Sequence, residues 1–374
     1  MLSAGSRSRA VATARRIERD ILGQSLTHGV VLGSCTKLAL QYGVGERSMR
    51  EAVRIVELLG WARMRRGPNG GLVVARQPLS VAARRIRGKL QLIGGPAAMA
   101  AARPTITRAI ARLAGRRPGD AAVELDRWLH DHPIGPDRGG RRECNAVGFP
   151  IALAAASGNF VAEFIASITA LGLMDAPWFA PSTLAEWSAT CEREVLAALR
   201  REDLRGVEQT LGLFLSRLGD AAARHAPGSD DPEDVICRTR AGQVARSIAM
   251  ESVGRRDATA SGALGTIGGL CSARGISRTT AIQALRILEA SEMVSVKRGR
   301  GQGYFLKPLK PEDVACQLSE DLEARPRAAI AAKEVLDALI DASGALGGPQ
   351  NIVIETLMSA LRATAGGAAA PDHR

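Results

Sequence analysis

The stretch that decides the fold runs from Leu32 to Ala75 and reads LGSCTKLALQYGVGERSMREAVRIVELLGWARMRRGPNGGLVVA. Its first part predicts a short helix over Thr36–Tyr42 that Gly43 ends, then a second helix from Gly45 to Leu59. Two short helices joined by a tight turn form a helix-turn-helix. The residues that follow run through a Gly/Pro/Asn turn between two β-like segments, which predicts a β-hairpin, or wing, behind the second helix.

An amphipathic helix is predicted before this stretch. Residues Ala12 to Gln24 place Ile17 and Ile21 four positions apart among charged residues, which is helical spacing. The segment Gly-Val-Val-Leu-Gly at 29–33 is interpreted as a connection between helices.

The same pattern occurs a second time, 232 positions later, and aligns without a gap. The second copy predicts a turn over Cys271–Gly275, a helix over Ser277–Ala290 and a wing over Met293–Phe305. Two copies are too few for a solenoid and indicate one small domain used twice. Identical residues at equivalent positions include Leu38 and Leu270, Gly43 and Gly275, Ala52 and Ala284, Arg54-Ile55 and Arg286-Ile287, Arg66-Gly67 and Arg298-Gly299, and Gly71 and Gly303.

Positive charge is concentrated in these two copies. The 374 residues carry a net charge of +12. Residues 1–76 hold 13 Lys and Arg against 5 Asp and Glu, and residues 238–307 hold 12 against 4, so each segment carries +8 and the remainder −4. Localised positive charge is expected for a protein that binds a polyanion, although an Arg-rich solvated face gives the same count.

Other function classes find little support. The six cysteines are scattered without a CxxC pair, which argues against a zinc ribbon and gives no reason to expect disulfides in a reducing cytoplasm. The glycines at 299, 301 and 303 precede a β-like segment and no helix, so they do not indicate a nucleotide loop. No catalytic constellation sits in a recognisable motif, and we expect neither an enzyme nor a cofactor. The apolar run Phe149–Met174 is interrupted by polar residues and predicts buried helices, not a membrane span; we expect a cytoplasmic protein.

Both copies resemble the winged-helix head of GntR-family bacterial transcription regulators. The shared pattern is an L-x-x-x-x-x-L-A stretch, then V-S-R-T-x-V-R-E-A-L, then a glycine-rich wing, and the resemblance covers most of residues 12–76 and 242–306. It implies that double-stranded DNA is the partner and that the second helix of each copy is the recognition helix, which enters the major groove.

The resemblance carries over only in part at the recognition helix. The family's helix begins Ser-Arg-Thr and has a second Arg one turn later. Copy one has Glu46 at the first Arg position, where a carboxylate would repel phosphate or accept from a cytosine amino group, and keeps Arg47 and Arg50. Copy two keeps the leading Ser-Arg-Thr but has Ile282 in place of the later Arg. Either the copies prefer different bases, or one binds phosphate only.

Twelve residues are therefore candidates for DNA contact. They lie at the start of each recognition helix and in each wing, where clustered Arg and flexible backbone can approach a duplex. They are Arg47, Ser48, Arg50, Arg65, Arg66 and Gly70 in copy one, and Ser277, Arg278, Thr279, Thr280, Arg298 and Arg300 in copy two.

The middle segment resembles the FCD-type effector domain of one GntR branch, on the residues from Phe149 to Asn159. Many relatives bind a divalent metal there through an Asp and three His. The equivalent positions here are Ala146, Pro150, Glu192 and Phe214. Since Glu192 alone could ligate, we expect no bound metal of that kind. His130 and His132 are expected to be exposed, and a small organic effector could still bind between the helices.

The sequence thus predicts a mainly α protein in which two winged helix-turn-helix domains flank a helical, FCD-like bundle and a short helical segment ends the chain. The predicted boundaries are 1–76, 77–226, 238–307 and 308–374, with tail helices at 311–322, 328–342 and 351–363. We expect a sequence-specific, effector-responsive repressor that forms a homodimer. The alternative is a protein–protein adaptor whose winged helices no longer bind DNA, which Glu46 and Ile282 favour.

Overall fold

A computed structural model describes residues 9–67, 70–75, 78–131, 141–174, 181–224, 239–254, 263–291, 293–296, 303–307, 309–346 and 351–366. The elements of the first 131 residues are α1 (Arg9–Gly23), β1 (Val31–Gly33), α2 (Cys35–Tyr42), α3 (Glu46–Leu58), β2 (Ala62–Arg65), β3 (Gly71–Val74), α4 (Pro78–Ala114) and α5 (Pro118–Asp131). The middle helices are α6 (Arg141–Ala156), α7 (Phe160–Met174), α8 (Pro181–Arg200) and α9 (Leu204–Arg224). The remaining elements are α10 (Arg240–Gly254), β4 (Ala263–Gly265), α11 (Ile267–Arg274), α12 (Arg278–Ala290), β5 (Val294–Val296), β6 (Tyr304–Leu306), α13 (Pro311–Glu323), α14 (Ala328–Leu346) and α15 (Ile352–Gly366).

These elements divide into two compact units. The first unit comprises residues 1–85 and 232–310, and the second comprises residues 86–231 and 311–374. Each unit is therefore built from two separate parts of the chain. The four domain boundaries expected from the sequence stay a prediction.

Two winged helix-turn-helix folds make up the first unit. In copy one, α1 and α2 pack on α3, and the hairpin of β2 and β3 is joined by β1 in a three-stranded antiparallel sheet of order β1-β3-β2. The core is apolar and includes Ile17, Met49, Ile55 and the fully buried Trp61. Burial of such side chains is the main stabilising term of a small domain.

Copy two repeats this architecture down to the register of the sheet. Its strands have the order β4-β6-β5, and Val294 pairs with Leu306 just as Ala62 pairs with Val74. At the sheet edge, a Cβ atom on Gly303 would lie 2.3 Å from the carbonyl oxygen of Gly265. This close approach of two backbones requires glycine and explains a pair of glycines that both copies share.

The strands β1 and β4 correct one prediction. The segment 29–33 was expected to be a connection, but Val31 pairs with Val73 and makes this segment the third strand of the sheet. A three-residue strand that contains glycine shows too little alternation for sequence periodicity to reveal. The predicted helix-turn-helix segments and tail helices are present, the described parts of both wings form antiparallel strands, and the mainly α fold is confirmed.

The second unit is helical. The helices α5, α6, α8 and α9 pack together, and α7 packs on α6 and on α14. Its core contains Phe149, Leu153 and Phe164, each at most 1% exposed. This burial explains the apolar run of the sequence. Among the described helices, none is both long and apolar enough to cross a bilayer.

Candidate nucleic-acid interface

The turn before each recognition helix is fixed by local chemistry. Gly43 ends α2 and Gly275 ends α11, both in the left-handed region with φ of 66° and 59°. Glycine adopts this conformation without the steric cost that a Cβ atom brings. At the other end of the same helices, Ser34 and Thr266 accept hydrogen bonds from the backbone N–H groups of residues 37 and 269.

The start of α3 presents two arginines to solvent. Arg47 and Arg50 are exposed, and Ser48 is half-buried beside them. On the opposite face, Met49, Ala52 and Val53 are buried in the domain core. The packing of α3 therefore leaves the predicted contact residues on the outer face.

Glu46 changes the charge that this surface offers. Its carboxylate lies 3.4 Å from the guanidinium of Arg50 and also accepts a hydrogen bond of 3.2 Å from the Thr36 hydroxyl. Both partners of the ion pair are more than half exposed, at 65% and 53%, so water screens the attraction. Arg50 is thus partly neutralised, while Arg47 is not engaged by this carboxylate.

The wing of copy one adds two further exposed arginines, Arg65 and Arg66. The backbone N–H of Gly70 donates to the carbonyl oxygen of Gly67 at 2.8 Å. A Cβ atom on Gly70 would lie 2.3 Å from the carbonyl oxygen of Arg65, so the turn requires glycine at this position. Residues 68 and 69 at the tip lie outside the described residues.

In copy two, Arg278 and Thr279 are exposed at the first turn of α12. Ser277 is the N-cap of this helix, since its hydroxyl accepts from the Thr280 backbone N–H at 3.1 Å. The Thr280 hydroxyl lies 2.9 Å from the same oxygen. Two predicted contact residues therefore also hold the helix end. The wing residues Arg298 and Arg300 lie outside the described residues.

A polar cluster that sequence reasoning missed holds α2 against α1. The Tyr42 hydroxyl donates to the Asp20 carboxylate at 2.6 Å, and Arg16 donates to the Tyr42 carbonyl oxygen at 3.0 Å. The Arg16 guanidinium also lies 5.1 Å from the centre of the Tyr42 ring. Burial and the neighbouring Asp20 carboxylate raise the pKa of Tyr42. The i, i+4 spacing of Arg16 and Asp20 places both side chains on one face of α1, but nothing in the sequence identifies Tyr42 as their partner.

Three of the four positions that the FCD resemblance singles out, Pro150, Glu192 and Phe214, are buried. The side chain of Glu192 is fully buried, its Oε1 accepts from the Ser188 hydroxyl at 2.7 Å, and burial raises its pKa to about 7. Phe214 is buried and apolar. Within the described part of the chain, no group of three or more His, Cys, Asp or Glu side chains is placed to hold a metal ion. His130 is exposed, whereas His132 lies outside the described residues.

No known protein-family profile matches the chain, and no curated protein matches it. Among solved structures, a GntR protein of Streptococcus agalactiae is 18% identical, with 57% of this chain and 99% of that chain covered and a TM-score of 0.32. The McbR/YncC protein of E. coli is 16% identical over 58% and 98% of the two chains, with a TM-score of 0.21. A GntR family member from Pseudomonas syringae pv. tomato is 19% identical over 58% and 85%, with a TM-score of 0.24. Likeness at these scores decides nothing about the activity of this chain.

The two copies place their predicted contact residues in the same way. In each copy they lie at the start of the recognition helix. In copy one, Arg65 and Arg66 also lie at the base of the wing. The arrangement offers a row of guanidinium and hydroxyl donors, which suits phosphate oxygens and the acceptor edges of bases. Contact with DNA by these residues stays a prediction.

Proposed function

We propose that the protein is a sequence-specific transcription regulator of the GntR type that binds double-stranded DNA through its two winged helices. The observation that carries the proposal is the exposure of Arg47 and Arg50 in the first two turns of α3, and of Arg278 and Thr279 in the first turn of α12. Had these side chains been packed inward, no duplex could have reached them. Recognition helices of this kind enter the major groove, and wings contact the adjacent backbone.

The proposed mechanism is repression by occupancy of an operator. Arginine contacts to phosphate give affinity that falls steeply with salt, and contacts to base edges give specificity. A small organic effector bound by the helical unit would favour one arrangement of the winged helices over another and so shift the occupancy of the operator.

Replacing both arginines of α3 tests the proposal. Arg47→Ala with Arg50→Ala should reduce affinity for the cognate duplex about tenfold or more and lower the salt slope by about 2, because two phosphate or base contacts are lost. Fluorescence anisotropy titrations over a range of salt concentrations measure both quantities.

A matched control removes two arginines elsewhere. Arg127 and Arg200 are exposed in the second unit and form surface ion pairs with Glu124 and Asp126. Their double alanine variant changes the net charge equally and should bind DNA as the natural protein does. Unchanged affinity in the α3 variant would show that copy one does not bind DNA.

The adaptor function remains the second candidate, because Glu46 partly neutralises Arg50 and because Ile282 is 37% exposed where the family has a second Arg. Titration with random duplex at low salt separates the two functions. A DNA-binding regulator retains non-specific affinity under these conditions, whereas an adaptor shows no binding.

A further inference from the structure

The two winged helices contact each other within the first unit. The recognition helix of copy two, α12, packs against both α1 and α3 of copy one. Two copies of a fold that lie 232 residues apart in the sequence are thus paired within a single chain.

An ion pair joins the two recognition helices. A terminal guanidinium nitrogen of Arg286 lies 2.5 Å from Glu51 Oε1, and the same side chain donates to Glu289 at 2.9 Å. Arg286 is 28% exposed and Glu51 41%, so water screens this pair less than the ion pair at the start of α3. The contact therefore joins α3 to α12.

The duplication continues beyond the winged helices. Gly95, at the kink of α4, has a φ of 76°, and Arg327, 232 positions later, has a φ of 61° between α13 and α14. Buried apolar positions also correspond along these helices. The corresponding pairs are Ala83 and Ala315, Ile86 and Leu318, Leu90 and Leu322, and Leu125 and Leu357. The tail helices α13, α14 and α15 are therefore a second copy of α4 and α5.

The two copies also meet in the second unit. Lys89 of α4 donates to Gln317 of α13, and Asn351 donates to the carbonyl oxygen of Ala98 at 2.9 Å. In a homodimer, two identical domains that contact each other come from two different chains. Here a single chain supplies both of the domains that contact each other.

The paired recognition helices carry different residues. Copy one offers Glu46, Arg47 and Arg50, and copy two offers Arg278, Thr279 and Ile282 at the equivalent positions. A palindromic operator matches two identical recognition helices that are related by two-fold symmetry. Recognition helices that differ in sequence, as α3 and α12 do, are expected to select different half-sites.

We propose that one chain binds one duplex with both winged helices at once, and that its operator consists of two unlike half-sites at one fixed spacing. The proposal rests on the DNA-binding function proposed above. It differs from the homodimer expected from the sequence, because a single chain supplies both winged helices.

Selection of bound duplexes from a random pool by the full chain tests the half-sites. The expected product is a non-palindromic motif bound by one chain per duplex in sedimentation analysis. Repeating the selection with Arg47→Ala plus Arg50→Ala should remove the sequence preference from one half only, and with Arg278→Ala from the other half only. A palindromic motif, or two chains per duplex, would overturn the proposal and leave the DNA-binding function standing. Absence of any duplex binding at low salt overturns both.

The ion pair provides a second test, with tolerance to spacing as the readout. Inserting base pairs between the half-sites should abolish tight binding by the natural protein. Glu51→Arg should relax this requirement, so that several spacings bind within about threefold of one another, and the swap E51R with R286E should restore the single spacing. Gln283→Arg is the matched control, because residue 283 is equivalent to 51, is exposed and takes no part in this ion pair. If the E51R variant kept the natural spacing requirement, the ion pair would not hold the two winged helices together, and the proposal would be wrong.

Discussion

Glu46 sets how much positive charge the start of α3 presents. The GntR pattern that copy one resembles has an arginine at this position. Here the Glu46 carboxylate pairs with Arg50 and accepts a hydrogen bond from the Thr36 hydroxyl. An exposed ion pair of this type contributes at most about 1 kcal/mol, so a phosphate can compete for the arginine. The effect of the carboxylate should therefore be seen in DNA affinity more than in stability.

Removing this carboxylate is expected to increase non-specific binding. Glu46→Ala frees Arg50 and removes a negative charge from the surface, which should raise affinity for random duplex about fivefold. Anisotropy titration at low salt measures the change. Glu124→Ala, which removes the exposed carboxylate paired with Arg127 in the second unit, is the control and should bind as before. Equal affinity for E46A and the natural protein would place the DNA surface away from Glu46.

At the level of single helices and strands, an element could be predicted from the sequence where neighbouring residues determine its ends. The left-handed turn at Gly43 and the side-chain cap at Ser277 are set by neighbouring residues, so the ends of α2 and α12 could be predicted. The strand β1 could not, because its pairing partner lies about 40 residues away in the chain. The positions of the candidate contact residues could be predicted, whereas the ion pair of Glu46 with Arg50 depends on side-chain conformations that the sequence does not specify.

Helix α8 contains a carboxyl group whose burial should appear in the pH dependence of stability. Glu192 is fully buried, and within the described structure its Oε2 has no hydrogen-bond partner. Burial raises its pKa to about 7 in the folded chain, against about 4.3 for an unfolded glutamate. Between these values the folded state binds more protons than the unfolded state, so the free energy of unfolding falls as pH rises.

Glu192→Gln should reduce this pH-dependent decrease in the free energy of unfolding, because the amide carries no charge at any pH between 4.5 and 7.5. The natural protein should lose on the order of 2 to 3 kcal/mol from this group between pH 4.5 and 7.5, and the variant should not. Urea denaturation at several pH values gives the comparison. Glu194→Gln, an exposed change on the same helix, should keep the natural slope. If the free energy of unfolding had the same pH dependence in E192Q and in the natural protein, Glu192 would be solvated in the folded state.

On the scale of the whole molecule, each unit contains parts of both copies of the duplicated segment. The repeat could be recognised from the sequence within the winged helices, where identical residues are frequent. It could not be recognised in the tail, where α13–α15 share few residues with α4 and α5, and where burial and the left-handed backbone at residues 95 and 327 are what correspond. Burial is a property of packing, and many apolar residues satisfy the same position.

Asn159 joins the middle helices of the second unit to the second copy. Its Oδ1 accepts from the backbone N–H groups of Val161 and Ala162 at the start of α7, and its Nδ2 donates to the Ala331 carbonyl oxygen at 3.0 Å and to Glu334 at 2.8 Å. The side chain is 5% exposed. One amide therefore caps α7, which lies between the two copies in the sequence, and binds α14 of the second copy.

Asn159→Asp separates these two roles, because the carboxylate still caps α7 but cannot donate to α14 and repels Glu334. We expect a loss of about 2 kcal/mol in the free energy of unfolding, and partial recovery when Glu334→Gln is added, since the glutamine can donate to the new carboxylate. Urea denaturation of the full chain measures both, and E334Q alone, at an exposed position, should be nearly neutral. If N159D were as stable as the natural protein, this contact between α7 and α14 would contribute nothing, and α14 would be held by its apolar packing alone.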